Sequence, residues 1–562
     1  MRLSRKTTAL CGVAVAAAMA LSACSSGGGS SSSSQNQKQK QASTSANQIN
    51  ATAYADVPDG GNMRWPIDSF PANFNIYEVD GNEFGVSQLV TSTLPLFWMY
   101  KADGTPFLNK DVVDSASSTT TTPQVVKYHI NPKAVRSDGT PITYKDFAGM
   151  FNALNGKNAA YKAASTSGYD QIQSVERGAT DQDVTVTFAK PYPEWQSLFS
   201  PLIPAALTAS PTAFTKSWVN GPSVSGGPFI VDKIDKTAKT ITVKRNDKWW
   251  GQKPKLDTIT FIVLDVSAQA KAFQSDQIDW FDIGPDPAAY KQAQGVQGAQ
   301  VRKAGGPNFR HIDMGQKGAM ANLAVRQAVM LSLDRVNDAK AMLSSLDWPA
   351  TVLNSHIWMN NQAQYKSTCG DYCNQDIAKA DSLLEQAGYK KGSDGFYAKD
   401  GKVLSLNFVI PAGVTTSATE SGIQQNALKK AGIKVVIKTV PSDPFFPNYI
   451  IPGNFDLTIF SWIGTPFPVS GAKQIYASKG ESNFSKIGTP QLDQLLDQAN
   501  TELDPQKRYD LTYQADQMVW EEGHSATLYQ RPDLAACKKT LENFGAFGFA
   551  NIDYTLIGFA KS

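Results

Sequence analysis

The sequence predicts an α/β protein built from two or three lobes. Three observations carry that expectation. The chain has 562 residues, more than one ordinary domain holds. Alternating strand patterns and helical apolar faces succeed one another through most of the body. No segment recurs at a period of about 20–50 residues, so the chain does not read as a repeat protein.

The first element is not part of the body. Residues 1–23 begin with Arg2, Arg5 and Lys6, continue with an apolar run from Ala9 to Leu21, and end in small residues. That is the pattern of a secretory signal peptide, too short for an ordinary membrane-spanning helix. Leu21-Ser22-Ala23-Cys24 resembles the lipobox of bacterial lipoproteins. The resemblance implies cleavage before Cys24 and a diacylglyceryl group on its sulfur, and two or more acyl chains anchor stably where one would not. Residues 24–52 are rich in Ser, Gly, Gln and Asn and nearly free of apolar side chains. They are expected to form a flexible tether.

The body opens near Tyr54. Met63-Arg64-Trp65 and Asn73 to Val79 read as strand and turn pieces, and Asp80-Gly81-Asn82 favours a surface turn. Val125 to Ile130 and Val184 to Phe188 alternate as strands, and Thr240 to Arg245 and Thr258 to Leu264 are strand-like. Between them, Asp138-Gly139 makes a turn and Thr143 can cap a helix starting near Tyr144. In the second half, Asn322 caps an amphipathic helix through Leu333, and Asp376 caps one that Gly388 stops. Thr489-Pro490 and Asp504-Pro505 start two more helices, the second running through Trp520. The tail from Tyr529 to Phe559 reads as strands and loops.

Charge excludes one class of function. The chain carries 53 basic and 50 acidic residues, and without the first 23 residues the balance is 50 to 50. Such a chain has no basic surplus for nucleic acid or for an anionic membrane surface. Cys369 and Cys373 bracket a tight Cys-Gly-Asp-Tyr-Cys loop that they can close as a disulfide outside the cytoplasm. A zinc site there lacks a nearby histidine or second cysteine pair. Cys537 is left unpaired. The four histidines are scattered, and no GxSxG, P-loop, GxGxxG or HExxH motif occurs. Glu521 and Glu522 are adjacent and would not share a helix face. No enzyme activity, catalytic residue, cofactor or metal is expected.

One stretch stands out, Phe455 to Val469. Phe455, Leu457 and Ile459 alternate as in a half-buried strand, and the run ends in Trp462 before Gly464, Thr465, Pro466 and Pro468. A stiff strand feeding an aromatic side chain into a Gly/Pro loop builds a pocket wall. It equally suits a core strand with an ordinary turn.

This stretch resembles a segment of the extracytoplasmic solute-binding proteins of family 5, the oligopeptide- and dipeptide-binding class of ABC transporters. Further segments resemble the same family in the same order: Leu94 to Lys110, Arg136-Ser137-Asp138-Gly139-Thr140-Pro141, Pro191-Tyr192-Pro193, Arg245 to Trp250, and Val325-Arg326-Gln327-Ala328 through Arg335. The resemblance runs from about Tyr54 to the C-terminus. Arg136 departs from it, since the family usually has tryptophan there.

The resemblance implies a type II periplasmic-binding-protein fold of cluster C, two lobes on a hinge plus a small insert domain. Its boundaries would be 53–92, 218–308 and 531–562 for lobe I, 93–217 for the insert, and 309–530 for lobe II. It implies a monomer that takes a peptide or peptide-like ligand and delivers it to a permease and ATPase, anchored through Cys24 on the outer face of the cell membrane. It places Trp462, Thr465, Asp80, Gly81, Asn82 and Tyr161 at the ligand, with Trp98 and Tyr449 as further candidates. In the family an aspartate three residues beyond the tryptophan pairs with the peptide amine. Here that position is Thr465. Ligand capture would be followed by lobe closure, with the cargo released unaltered.

Overall fold

A computed structural model describes residues 47–561. Cys24 and the signal segment lie outside the described residues. Within them the chain runs from β1 (Asn62–Ile67) through α1 (Phe84–Thr93) into the strands β2 (Val113–Ser118), β3 (Val125–Ile130), β4 (Ile172–Arg177) and β5 (Asp183–Phe188), with α2 (Tyr144–Leu154) between β3 and β4. These four strands form an antiparallel sheet in the order β2-β3-β5-β4. The chain then adds β6 (Phe229–Asp235), β7 (Thr240–Arg245) and β8 (Thr258–Val263). They make a second sheet with β1, in the order β1-β8-β7-β6, where β1 runs parallel to β8.

β9 (Trp280–Asp282) and the 16-residue β10 (Ala299–Met314) follow, then α3 (Leu323–Ser332), α4 (Ile377–Gln386), β11 (Ser405–Pro411), α5 (Thr415–Lys430), β12 (Lys434–Val440) and β13 (Leu457–Ile463). Helices α6 (Pro468–Tyr476), α7 (Pro490–Ala499) and α8 (Pro505–Glu521) lead to β14 (Ser525–Lys538). The six-stranded sheet has the order β9-β14-β10-β13-β11-β12.

The local signals act where the sequence places them. Thr143 Oγ1 accepts from the Lys145 N–H, and the Thr143 N–H donates to Asp146 at 2.9 Å. Asp376, Thr489, Asp504 and Asn322 each accept from the first turn of the helix they precede. Arg136, the departure from the family pattern, forms a buried 2.6 Å ion pair with Asp146 and donates to the Pro141 carbonyl. It braces the capping turn by charge, where an indole would brace it by area. Cys369 and Cys373 are disulfide-bonded, and Cys537 is free and buried.

Two results differ from the sequence expectation. The tether was expected to run to residue 52, yet its end is docked. Gln48 pairs with Ala546, and Asn50 Nδ2 and the Thr52 N–H donate to Glu542 and Asn543. Polar side chains replace apolar ones as the fastening, which composition does not reveal. β13 is also not half-buried. Leu457 through Phe460 are all buried, because Leu457 and Ile459 pack into the main lobe II core while Phe460 packs on the other face with Val409, Phe445 and Phe455. Thr458, on the face expected to meet water, donates its hydroxyl to the Val409 carbonyl.

Lobe I and the insert share one continuous apolar core around Trp65, Phe97, Phe147 and Phe261. Lobe II has its own, around Ile312, Leu331, Phe408 and Leu457. The crossing is made by β10 and β14. Ala299–Gly305 pairs with Pro532–Lys538, and Phe309–Asp313 pairs with Ser525–Gln530. Between the two halves the register breaks at Gly305-Gly306-Pro307-Asn308. The register shifts again between Phe309 and His311, and a ladder interrupted over so short a stretch is a place where backbone angles can change without loss of pairing elsewhere. Among the described residues no helix is long and apolar enough to cross a membrane.

Candidate functional site

β13 leaves the core as it nears the break in the hinge strands. Ser461 and Trp462 are half-buried and Ile463 is exposed. Gly464 follows, with its N–H on the Pro307 carbonyl at 2.7 Å. A Cβ there would stand 2.8 Å from the same carbonyl oxygen, so only glycine permits this stitch between the strand end and the hinge turn.

Trp462 stacks on His311 and Phe484, at 5.9 Å and 5.6 Å between ring centroids, and meets Phe460 edge-on at 5.3 Å. Behind it lies a buried His311–Asp313 pair with Nε2 and Oδ1 3.4 Å apart. Burial, with help from the Arg310 charge, holds His311 well below its usual pKa, and burial pushes Asp313 up to about 8. Both are neutral at pH 7, so the wall behind the indole carries no net charge.

The expected site residues fall into two groups and an outlier. Trp462, Tyr449 and Thr465 belong to lobe II. Tyr449 edges the same aromatic cluster as Trp462, with Lys438 Nζ 5.4 Å from its ring centre. Thr465 is exposed. Its hydroxyl accepts from the Phe467 N–H, and its carbonyl accepts from Gln362. Asp80, Gly81, Asn82 and Tyr161 form the second group. The Val79 N–H donates to the Lys162 carbonyl and Glu78 bridges to Ala163, so the 78–82 turn is tied to the segment after Tyr161. Glu78, itself buried, holds the turn by accepting from the Asp80 N–H and from Asn73. Gly81 is buried, and a Cβ there would meet the Asn75 carbonyl oxygen at 2.2 Å. Asp80 and Asn82 are exposed. The Tyr161 ring points into the insert core, with its hydroxyl on the Thr208 carbonyl. Trp98 belongs to neither group; it is buried edge-on against Trp195.

The structure adds charged groups that pattern reading did not single out. On the α5 side of β13, Arg310 Nε donates to Glu420 at 3.0 Å and its Nη2 to Ser417 at 3.1 Å. Tyr529 donates its hydroxyl to the same carboxylate at 2.5 Å. Arg531 is half-buried, with Nη1 3.4 Å from the Ser461 hydroxyl. Asp282, at the end of β9, is solvent-accessible yet deep in the protein's mass, and desolvation raises its pKa. A second contact joins the insert to lobe II. The Glu194 carboxylate accepts from the Val469 and Ser470 N–H groups at 2.8 Å and 3.0 Å, at the start of α6. Tyr100 meets Phe467 edge-on at 5.6 Å beside it.

One arrangement resembles hydrolytic machinery by residue type alone. His356 Nδ1 lies 2.8 Å from Asp516, and Ser355 donates to the same carboxylate. The far nitrogen, Nε2, faces the Ser525 carbonyl at 3.0 Å and no hydroxyl, and the ring is fully buried. A base needs its free nitrogen on the proton it removes. Here the two nitrogens tie the segment between α3 and α4 to α8 and β14. Among the described residues no cluster of three or more His, Cys, Asp or Glu is placed to hold a metal ion.

This geometry is shared with known proteins. The profile of the bacterial extracellular solute-binding proteins, family 5 (middle), matches residues 108–484. The oligopeptide-binding protein OppA of Mycobacterium tuberculosis is 39% identical over 523 residues, 92% of this chain and 88% of that protein. The probable monoacyl phosphatidylinositol tetramannoside-binding protein LpqW of the same species is 25% identical over 58% of this chain and 54% of its own length. Among solved structures, the periplasmic EDTA-binding protein EppA superposes with a TM-score of 0.82 at 26% identity, covering 92% of this chain and 99% of its own. The oligopeptide-binding protein AppA of Bacillus subtilis, in complex with a nonapeptide, gives 0.70 at 20% identity over 90% of this chain and 100% of its own. The fold is thus a type II periplasmic-binding fold, and the chain belongs to the bacterial extracellular solute-binding proteins of family 5.

Proposed function

We propose that this protein captures peptides or peptide-like solutes between its lobes and releases them unaltered to an ABC permease. The carrying observation is the emergence of β13 from the lobe II core at the break in the hinge strands, with Trp462 on its exposed end. A half-buried indole beside a hinge meets cargo when the lobes close and meets water when they part. The relative of highest identity named above is an oligopeptide-binding protein over most of its length. Native mass spectrometry of the purified protein tests the reading. Peptide-sized masses that dissociate intact are expected, and a covalently altered ligand would overturn it.

A lipid anchor on Cys24 would keep this capture at the outer face of the membrane. Cys24→Ala is expected to move the protein from the membrane fraction to the medium or periplasm; retention in the membrane would remove the anchor from the account.

A second reading follows from Thr465, which offers no carboxylate to a peptide amine. A ligand without a free amino terminus, a glycolipid among them, suits that loop, and LpqW is named for such a ligand. In that case the protein would serve as an envelope sensor or assembly partner without a permease. The mass of the co-purified ligand separates the two readings.

A further inference from the structure

Among the described residues, most enclosed arginines place every arm of the guanidinium on strong acceptors; Arg302 leaves its Nε unpaired but sets both terminal nitrogens on the Phe544 and Lys538 carbonyls. Arg335 donates to the Thr527, Tyr372 and Leu353 carbonyls and to Asn354. Arg326 donates to the Glu522, Met320 and Ala321 carbonyls. Arg310 is held by Glu420 and Ser417. Arg531 has a single hydrogen bond, 3.4 Å long, to Ser461. It forms no ion pair among the described residues. A cation partly withdrawn from water without an anion is costly, and the cost persists only where something else offsets it.

The surroundings point to what that is. Arg531 lies on β14 at the break in the hinge register, between the end of β9 and the end of β13. A Cβ on Gly284 would stand 4.0 Å from its Nη2, while its Nη1 faces Ser461, next to Trp462. The guanidinium therefore lies between Gly284, just beyond β9, and Ser461 near the end of β13. The nearby acids attract Arg531 without pairing with it. Glu420 receives Arg310 and Tyr529, and Asp282 receives the Gly284 N–H at 2.8 Å. Arg310, of like sign, also faces Arg531, and desolvation together with that charge lowers the Arg531 pKa against the opposing pull of Tyr529, Asp282 and Glu420. Ile463, exposed on the same face of β13 as Ser461, leaves that side of the cleft open.

Building on the capture function above, we propose that Arg531 is the receptor for a carboxylate of the bound cargo. A planar guanidinium offers parallel N–H groups that fit a carboxylate two at a time. The cargo class is then a carboxylate-bearing solute, and for a peptide the group is its C-terminus or an acidic side chain.

The test uses a pentapeptide library made as free acids and as C-terminal amides, each with and without one aspartate, titrated into the full-length protein. Wild type is expected to bind free acids about 10- to 100-fold more tightly than aspartate-free amides. A preference restored by the aspartate assigns the side-chain carboxylate; one that is not restored assigns the C-terminus. Arg531→Met should bind all arms alike, and Arg531→Lys should keep part of the preference. Equal binding of all four arms by wild type, with and without the aspartate, overturns the proposal without needing a variant, and so does a preference that survives in a folded Arg531→Met. If neither library binds, the peptide reading fails, and citrate becomes the probe. Citrate binding lost in Arg531→Met then upholds the carboxylate site, and binding that is absent or unchanged overturns it.

Discussion

Trp462→Ala is expected to weaken cargo binding about 30-fold, the loss typical of a central aromatic anchor worth about 2 kcal/mol. The measurement is calorimetric titration with a peptide identified by mass spectrometry and resynthesised. The indole is half-buried against His311, Phe460 and Phe484, so the same change also removes packing. Full truncation of a buried tryptophan costs about 3–5 kcal/mol, and a half-exposed one costs about half of that. The melting temperature should therefore fall together with the affinity. Trp462→Phe separates the two, because a smaller ring retains the aromatic contacts at the base and loses reach into the cleft. It should recover more of the melting temperature than of the affinity. The pH dependence is a further check. His311, held well below its usual pKa, and Asp313, pushed up to about 8, are both neutral at about pH 6.5–7, so the wall keeps one charge state there. The share of binding due to Trp462 should be flat over that range. Unchanged affinity in Trp462→Ala would remove the residue from the site.

How much of this was legible in the sequence depends on how local each interaction is. Thr143, Asp376, Thr489 and Asp504 act on N–H groups two or three residues away, and their helices begin where those residues stand. The disulfide closes a five-residue loop in the same local way. The strand ending in Trp462 was legible as a strand. That both its faces are covered was not, because coverage depends on side chains such as Leu331, Val409 and Phe445, which arrive from elsewhere in the chain. Tyr161 shows the limit of placing a residue by resemblance. The position is adjacent to the 78–82 turn, but rotation of one side chain decides between cleft and core, and the bond to Thr208 takes it inward. Arg531 and Glu194 carry no motif. Each is defined by partners 70 or 275 residues away, a relation that periodicity and composition do not encode.

Glu194→Ala is expected to loosen the junction between the insert and lobe II more than any other single change to a polar residue there. Helix α6 begins at Pro468 with no side-chain cap of its own. Its free Val469 and Ser470 N–H groups are met instead by a carboxylate from the insert. Ordinary caps are worth about 1–2 kcal/mol, and each buried donor left without a partner costs about 1–3 kcal/mol. The loss should thus reach several kcal/mol where the surfaces meet, around a cavity of ≈ 250 Å³ lined by Glu194, Gln362, Phe467 and Arg508. The loop carrying Thr465 leads directly into α6, so freeing the helix start frees the loop. Cargo should dissociate about 10-fold faster from Glu194→Ala, with small-angle scattering showing a larger mean radius. Glu194→Gln keeps one acceptor oxygen and should fall between. Burial raises the Glu194 pKa above its ordinary value, opposed by its bonds to Ser470 and Val469 and by the Arg508 charge. A carboxyl with a raised pKa in the docked form takes up a proton on docking. Its contribution is therefore fully present below the undocked pKa and declines as pH rises through the docked one. Docking in wild type should tighten as pH falls from 7 toward 4, and Glu194→Gln should show no such trend. Equal dissociation rates and radii for wild type and Glu194→Ala would mean that this contact plays no part in holding the lobes together.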